Sequence, residues 1–348
     1  DDLLLIKKLL AQLGKTPFYK KEKPSPFDEA VSLIWYLEHV FYHSVPKIYN
    51  YIQQHVYDGE PIENEIIDLG FWPGGDRDGN PFVTTKITLN VAERLRQTIL
   101  RSYYRDIRRL KRRFTFDGVQ KILSKVEKRL YKHVVRSYAK VNFSQKILLE
   151  ELYAAREIIV NKHQSLFVEE LNDVINKVRI FGFHFATLDI RQDSRVHHKA
   201  FIQIVEDLHK IGDTTFPKNY LSLSEKEQID ILSVVKGEID TNILTDETSV
   251  KTIESIYALK EIQHRNGERG ANRYIISNNQ TALNVMETFA MLNLCGFENE
   301  LPVDVIPLFE TVEDLENSEE VMRTLYSNKT YRHHVSKRKD KQTIMLGF

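Results

Sequence analysis

Cysteine is almost missing: Cys295 is the only one in 348 residues, so an intrachain disulfide framework is excluded. It stands in the apolar stretch Ala290-Met291-Leu292-Asn293-Leu294-Cys295. A buried, inert thiol is expected there rather than a nucleophile, and a reducing, cytoplasmic setting is the natural reading. Net charge is missing too, because 49 Lys and Arg balance 49 Asp and Glu. That argues against a surface built throughout for nucleic acid. No apolar run approaches the ~20 residues of a membrane helix, so no span and no membrane partner are expected. The opening Asp1-Asp2-Leu3 lacks a basic n-region and a small-residue cleavage site, unlike a signal peptide. It also lacks an initiator methionine, so the chain is expected to belong to something longer.

What is present is mostly helical pattern. Asp28 reads as a cap ahead of Val31, Ile34, Leu37, Val40 and Phe41 on one face. Pro46 should kink or break that helix. Asn90 with Glu93 reads as a capping box opening a helix with the stripe Val91, Leu95, Ile99, Tyr103, Ile107, Leu110 and Phe114. Further helices are predicted over about 118–138, 144–178, 195–211, 225–236, 249–266, 280–295 and 318–327, with a second box at Ser224 and Glu227. The stretches 212–222, 236–248 and 266–272 read as polar loops, and the basic tail 328–342 as an exposed one.

Between the helices lie short segments rich in β-branched and aromatic residues: 66–72, 183–190, 274–277, 303–309 and 343–348. Helices separate one from the next, which predicts parallel strands joined by helical crossovers. The connections are too long for minimal units, so large helical insertions must decorate the sheet.

The strand ends carry the chemistry. The first runs into Gly74-Gly75-Asp76-Arg77-Asp78-Gly79-Asn80-Pro81, a tight charged turn beside Trp72 where amides and an Arg can approach an anion. A plain surface turn is the bland alternative. The second ends in Asp189-Ile190-Arg191-Gln192-Asp193, where the planar fork of Arg191 suits a phosphate or carboxylate. It could equally be salt-bridged to Asp189 or Asp193. The fourth ends in Leu308-Phe309-Glu310-Thr311, and a lone strand-end carboxylate beside an apolar wall can hold Mg²⁺ or Mn²⁺. A structural partner for some Arg is the default reading of such a Glu.

These blocks resemble those of phosphoenolpyruvate carboxylases. Phe71-Trp72-Pro73-Gly74-Gly75-Asp76-Arg77-Asp78-Gly79-Asn80-Pro81 is similar to a signature block of that family. So are Phe181-Gly182-Phe183-His184 running into Leu188-Asp189-Ile190-Arg191-Gln192, then Tyr274-Ile275-Ile276-Ser277. Pro307-Leu308-Phe309-Glu310-Thr311 with Asp314-Leu315, and Ile344-Met345-Leu346-Gly347-Phe348, complete the set in the family's order. The resemblance implies a mainly α chain with a parallel β component, part of a (β/α)8 TIM-type barrel with large helical insertions. Residues 1–65 would be a helical lead-in, and 66–348 would hold about five barrel strands.

The resemblance also implies roles. Glu310 would bind Mg²⁺ or Mn²⁺, and Arg191 the substrate phosphate and a carboxyphosphate intermediate. Trp72, Leu308 and Met345 would line a hydrophobic CO₂ pocket, with Asp76, Arg77, Asp78 and Asn80 nearby. The reaction would be carboxylation of phosphoenolpyruvate by bicarbonate to oxaloacetate, which replenishes the tricarboxylic acid cycle, in a homotetramer. The family's Thr-Ala-His-Pro-Thr block with its catalytic His is expected before Asp1. The Ser-Asp-Ser continuation with a second metal-ligand Asp is expected after Phe348. A mobile glycine-rich loop with its Arg and a C-terminal inhibitor region would also lie outside, so the chain alone is expected to be inactive.

Two other readings compete. The basic run 94–113, interleaved with Tyr103 and Tyr104, could track nucleic-acid phosphates, against a solvated face balanced by acidic neighbours. Another metal-dependent lyase of enolpyruvyl or 2-oxo acids would use the same carboxylate logic but leave the glycine-rich turn unexplained. The pairs His197-His198 and His333-His334 read as surface or capping residues, since adjacent side chains on a helix diverge by about 100°.

Overall fold

A computed structural model describes residues 2–17, 23–60, 62, 66–135, 143–297 and 301–347. The chain begins with α1 (Asp2–Lys15), α2 (Pro26–Tyr36), a π-helical turn (Leu37–Phe41) and α3 (Tyr42–Val56). Then come β1 (Gly70–Phe71), α4 (Thr85–Arg113), α5 (Val119–Val135), α6 (Gln145–Lys162) and α7 (Val168–Phe181). The strand-bearing half follows: β2 (Thr187–Leu188), β3 (Ile190–Asp193), α8 (Ser194–Lys210), α9 (Glu225–Leu232), α10 (Glu247–Asn266) and β4 (Arg273–Ser277). It ends with α11 (Ala282–Asn293), β5 (Asp304–Phe309), α12 (Val312–Ser327), α13 (Lys329–Lys337) and β6 (Met345–Leu346). No helix among the described residues is long and apolar enough to cross a membrane.

Among the described residues all strand pairs are parallel, in two sheets ordered β1-β2 and β3-β4-β5-β6. Asp189 alone separates β2 from β3, so one stretch of chain serves both sheets. Among the described residues the strands do not close into a barrel. Helices α8, α11 and α12 pack on this parallel array, as helical crossovers require.

Helix α4 is the spine of the helical half and touches α2, α5, α7 and α10. Val91, Leu95, Ile99, Tyr103, Ile107 and Leu110 are buried along it, each such side chain contributing roughly 1.5–3 kcal/mol. Its basic face is extensively paired. Arg105 meets Glu38, Arg108 and Lys111 share Glu127, Arg109 meets Asp106, and Arg113 lies 2.8 Å from Glu170.

Several local expectations need correction. Ser25, not Asp28, caps α2, and Asp28 is the reciprocal member of its capping box. Thr84 caps α4, accepting from Ile87 N at 3.3 Å, so Asn90 lies inside the helix. Pro46 sits within α3 without ending it. The predicted 144–178 helix is two, because Gln164, Ser165 and Phe167 take positive φ. The basic tail folds into α13, capped by Asn328 and burying Tyr331, His334 and Val335. The Ser224–Glu227 box is present, at the start of α9.

Candidate active site

The first strand does not simply stop at Phe71. Gly75 N and Asp76 N both donate to Trp72 O, at 2.8 and 3.1 Å, closing a turn. Pairing then resumes: Arg191 N donates to Gly75 O and Arg77 N to Arg191 O, each at 3.1 Å. Both glycines are obligatory. Gly74 has φ +87°, and a Cβ there would meet Val91 at 2.6 Å. A Cβ on Gly75 would lie 2.0 Å from the Asp189 carbonyl oxygen. The turn throws Trp72 outward and sets Asp76 opposite Arg191.

The rest of the loop is held by its own polar groups. Asp76 Oδ1 accepts from Gly79 N at 3.0 Å, and Asn80 Oδ1 accepts from Phe82 N at 3.1 Å. Arg77 turns away, donating to Thr85 Oγ1 at 3.3 Å and Lys251 O at 3.4 Å. Asn80 and Arg77 therefore shape the loop, while Asp76 and Asp78 face Arg191.

Arg191 gathers three carboxylates. Its Nη2 lies 3.4 Å from Asp78 Oδ2 and 3.2 Å from Glu310 Oε1, and its Nε lies 4.0 Å from Asp76 Oδ1. Asp189 and Asp193, the partners weighed from sequence, are committed elsewhere: Asp189 to Arg273 Nε at 2.6 Å, Asp193 to Arg195 and the start of α8. Glu310 is fixed through backbone as well as side chain. Its N–H and that of Thr311 donate to Asp314 Oδ2 at 3.2 and 3.0 Å, the capping box of α12. Its Oε2 accepts from Asn278 N at 3.1 Å.

A cavity of about 390 Å³ opens between the strands. Asp76, Asp189, Arg191 and Arg273 supply its polar lining. Trp72, Ile275, Ile306, Ile344 and Met345 supply the apolar wall. Leu308 is 1% exposed and lies behind that wall, clustered with Ile275, Ile306 and Met345. Phe348 lies outside the described residues. Burial pushes the Asp189 carboxyl up to about 6 despite Arg273 beside it. Arg273 was not anticipated from sequence: it stands at the start of a strand, and only the parallel register places it level with Asp189.

The histidine pairs are not surface residues throughout. His197 is wholly buried, its Nδ1 2.8 Å from Thr288 Oγ1 and its Nε2 2.9 Å from Tyr274 OH. The helix face that carries it packs inward, which adjacency in sequence could not reveal. His334 is buried too, and His198 Nδ1 lies 2.7 Å from Glu287 Oε1. Cys295 is buried, and burial pushes its thiol pKa up, which makes it a poor nucleophile.

Among the described residues no cluster of three or more His, Cys, Asp or Glu could hold a metal by itself. Glu310, directly after β5, offers a partly exposed hard oxygen donor. That fits Mg²⁺ or Mn²⁺, which take one or two protein carboxylates and complete their shell with water and substrate oxygens.

The profile of the phosphoenolpyruvate carboxylase family matches residues 4–146 and 119–348. Phosphoenolpyruvate carboxylase of Nitrosomonas eutropha is 26% identical over 395 aligned residues, covering 99% of this chain and 42% of that protein. That of Vibrio vulnificus is 27% identical, covering 99% of this chain and 41% of its own length. The chain thus spans about two fifths of the relatives it matches.

Proposed function

The chain belongs to the phosphoenolpyruvate carboxylase family, and from that premise we propose that it carries the phosphate-binding arginine, one metal-ligand carboxylate and the CO₂ wall of a carboxylase active site. The observation that carries this reading is a single cavity shared by the Arg191 guanidinium and an apolar wall of Trp72, Ile275, Ile306 and Met345. The six short strands would be part of a TIM-type barrel completed by other segments of the polypeptide. Membership also weighs against another enolpyruvyl lyase, and the paired arginines of α4 weigh against a nucleic-acid module.

The substrates would be phosphoenolpyruvate and bicarbonate. A bicarbonate oxygen attacks phosphorus and the bond to the enol oxygen breaks, giving carboxyphosphate and the enolate of pyruvate. Carboxyphosphate then loses phosphate to release CO₂, and the enolate carbon attacks it to give oxaloacetate. Arg191 would bind the phosphoryl group and stabilise charge as it shifts between oxygens, the kind of fixed electrostatic aid that dominates such steps. A Mg²⁺ or Mn²⁺ held by Glu310 would supply Lewis-acid stabilisation of the enolate oxygen. The apolar wall would keep CO₂ beside the enolate and water away from it. Asp76 and Asp78 would orient the Arg191 fork.

The test is oxaloacetate formation, coupled to malate dehydrogenase, by the full-length polypeptide that carries these residues. Arg191→Ala and Glu310→Gln are each expected to lower kcat by about 10²–10³-fold. Residues 1–348 alone are expected to form none. A full-length polypeptide inactive with bicarbonate and metal in excess would overturn the reading.

A further inference from the structure

Both oxygens of the Glu310 carboxylate are engaged, Oε1 with Arg191 Nη2 at 3.2 Å and Oε2 with the backbone N–H of Asn278 at 3.1 Å. The second partner comes from an uncommon backbone. Asn278 follows β4 directly and has φ +50°, in the left-handed region that Asn tolerates better than most residues and β-branched ones scarcely enter. The peptide group that follows Asn278 is pinned at both its oxygen and its N–H. Ser194 Oγ, at the start of α8, donates to Asn278 O at 2.5 Å. Asn279, wholly buried, donates its N–H to Leu308 O at 3.4 Å. Three elements thus converge to aim one amide at one carboxylate oxygen: α8 through Ser194, β4 through its last turn, and β5 through Leu308.

We propose that Asn278 is a positioning residue for Glu310: its left-handed backbone, locked by Ser194, presents the N–H that fixes the carboxylate for a divalent cation. A carboxylate on a flexible stem loses rotamer freedom when it takes up an ion. One already held by a directed N–H has lost that freedom beforehand. The inference rests on the reading of Glu310 as a metal ligand, and the experiment separates the two.

Mn²⁺ binding is measured by electron paramagnetic resonance of the free ion, without substrate, on the full-length polypeptide carrying these residues. Melting temperatures are recorded alongside. Asn278→Val should weaken Mn²⁺ binding by about tenfold, the lower end of effects at outer partners of metal ligands. Asn278→Gly enters the left-handed region freely and should stay within about twofold of wild type. Ser194→Ala should weaken binding by an intermediate factor. Wild-type affinity in Asn278→Val, or equal weakening in Asn278→Gly, would overturn the proposal. If Asn278→Val does not fold, Ser194→Ala decides alone, and unchanged affinity there overturns it. Glu310→Gln is the control. If it binds Mn²⁺ like wild type, the metal reading falls and this inference with it. If it loses binding while Asn278→Val keeps it, only this inference falls.

Discussion

Arg191 Nη2 lies 3.2 Å from Glu310 Oε1, joining side chains 119 positions apart in the chain. Asp78 shares the same Nη2, and Asp76 stands 4.0 Å from Nε. Three carboxylates therefore face one guanidinium, an excess of negative charge that a divalent cation beside Glu310 would offset. Arg273, the other guanidinium of the cavity, does not relieve it, because it is paired with Asp189 and Asp68. If Arg191 binds a phosphate, that phosphate would compete with the two carboxylates on Nη2, and a cation drawing Glu310 off would ease the competition.

Gly75→Ala is expected to disrupt the site from the backbone outward. The new Cβ would meet the Asp189 carbonyl oxygen at 2.0 Å, and backbone on both sides leaves little room to yield. The bond from Arg191 N to Gly75 O would have to lengthen or break. A loss of about 4 kcal/mol or more in urea unfolding is expected, in the range reserved for a few severe mechanisms. Gly14→Ala is the internal control: nothing lies within 4 Å of its Cβ position on the exposed α1. It should be neutral or stabilising by up to about 1 kcal/mol. A melting temperature for Gly75→Ala equal to that of wild type would show that the two strands can separate without cost.

That dependence on backbone explains what was legible from residues alone. The five strand segments all appear where apolar runs end at chemistry-bearing residues, although β1, β2 and β6 form only two-residue ladders. Glu310 was readable because it directly follows a strand run. Arg191 follows the apolar run 183–190, but it stands inside β3, level with Ile275, and not at the strand end expected from sequence. Arg273 opens its strand, so only the register brings it to the cavity. Asn278 acts through its φ and its N–H, which side-chain chemistry does not encode. Helix α13 was hidden for another reason: Tyr331, His334 and Val335 form its buried face, but the surrounding Lys and Arg dominate the composition.

His197 should make the fold acid-sensitive. Burial, and secondarily Arg77, holds its pKa at about 3, against an ordinary 6.5. Between those values the unfolded chain binds a proton that the folded chain refuses, so stability falls as pH drops through that window and is unaffected above it. The expected slope is about 1.4 kcal/mol per pH unit for one such group. His184, also held at about 3 mainly by burial, adds in the same sense. Asp189 opposes them, because its carboxyl, raised to about 6 mainly by burial, keeps a proton in the folded state that the unfolded state has lost. The difference between wild type and His197→Gln removes these shared contributions. Unfolding in urea at pH 7, 5.5 and 4.5 should show the variant less stable at pH 7 and the two curves converging on acidification. Parallel curves would mean that His197 takes up its proton at the same pH in the folded and the unfolded chain.

Trp72 and Leu308 should separate chemistry from stability. Trp72 is 60% exposed and lines the cavity, whereas Leu308 is 1% exposed behind the apolar wall. Trp72→Ala removes few packed contacts, so its unfolding free energy should stay within about 0.5 kcal/mol of wild type. If Trp72 helps keep CO₂ beside the enolate, its loss lets water protonate that carbon, and pyruvate forms in place of oxaloacetate. The readout is the ratio of pyruvate to oxaloacetate made by the full-length polypeptide, which should rise in Trp72→Ala. Leu308→Ala should instead cost about 2–5 kcal/mol by opening a void beside Ile275, Ile306 and Met345. A Trp72→Ala enzyme with an unchanged product ratio would remove Trp72 from the CO₂ wall, and the task would pass to the inner residues Ile275, Ile306 and Met345.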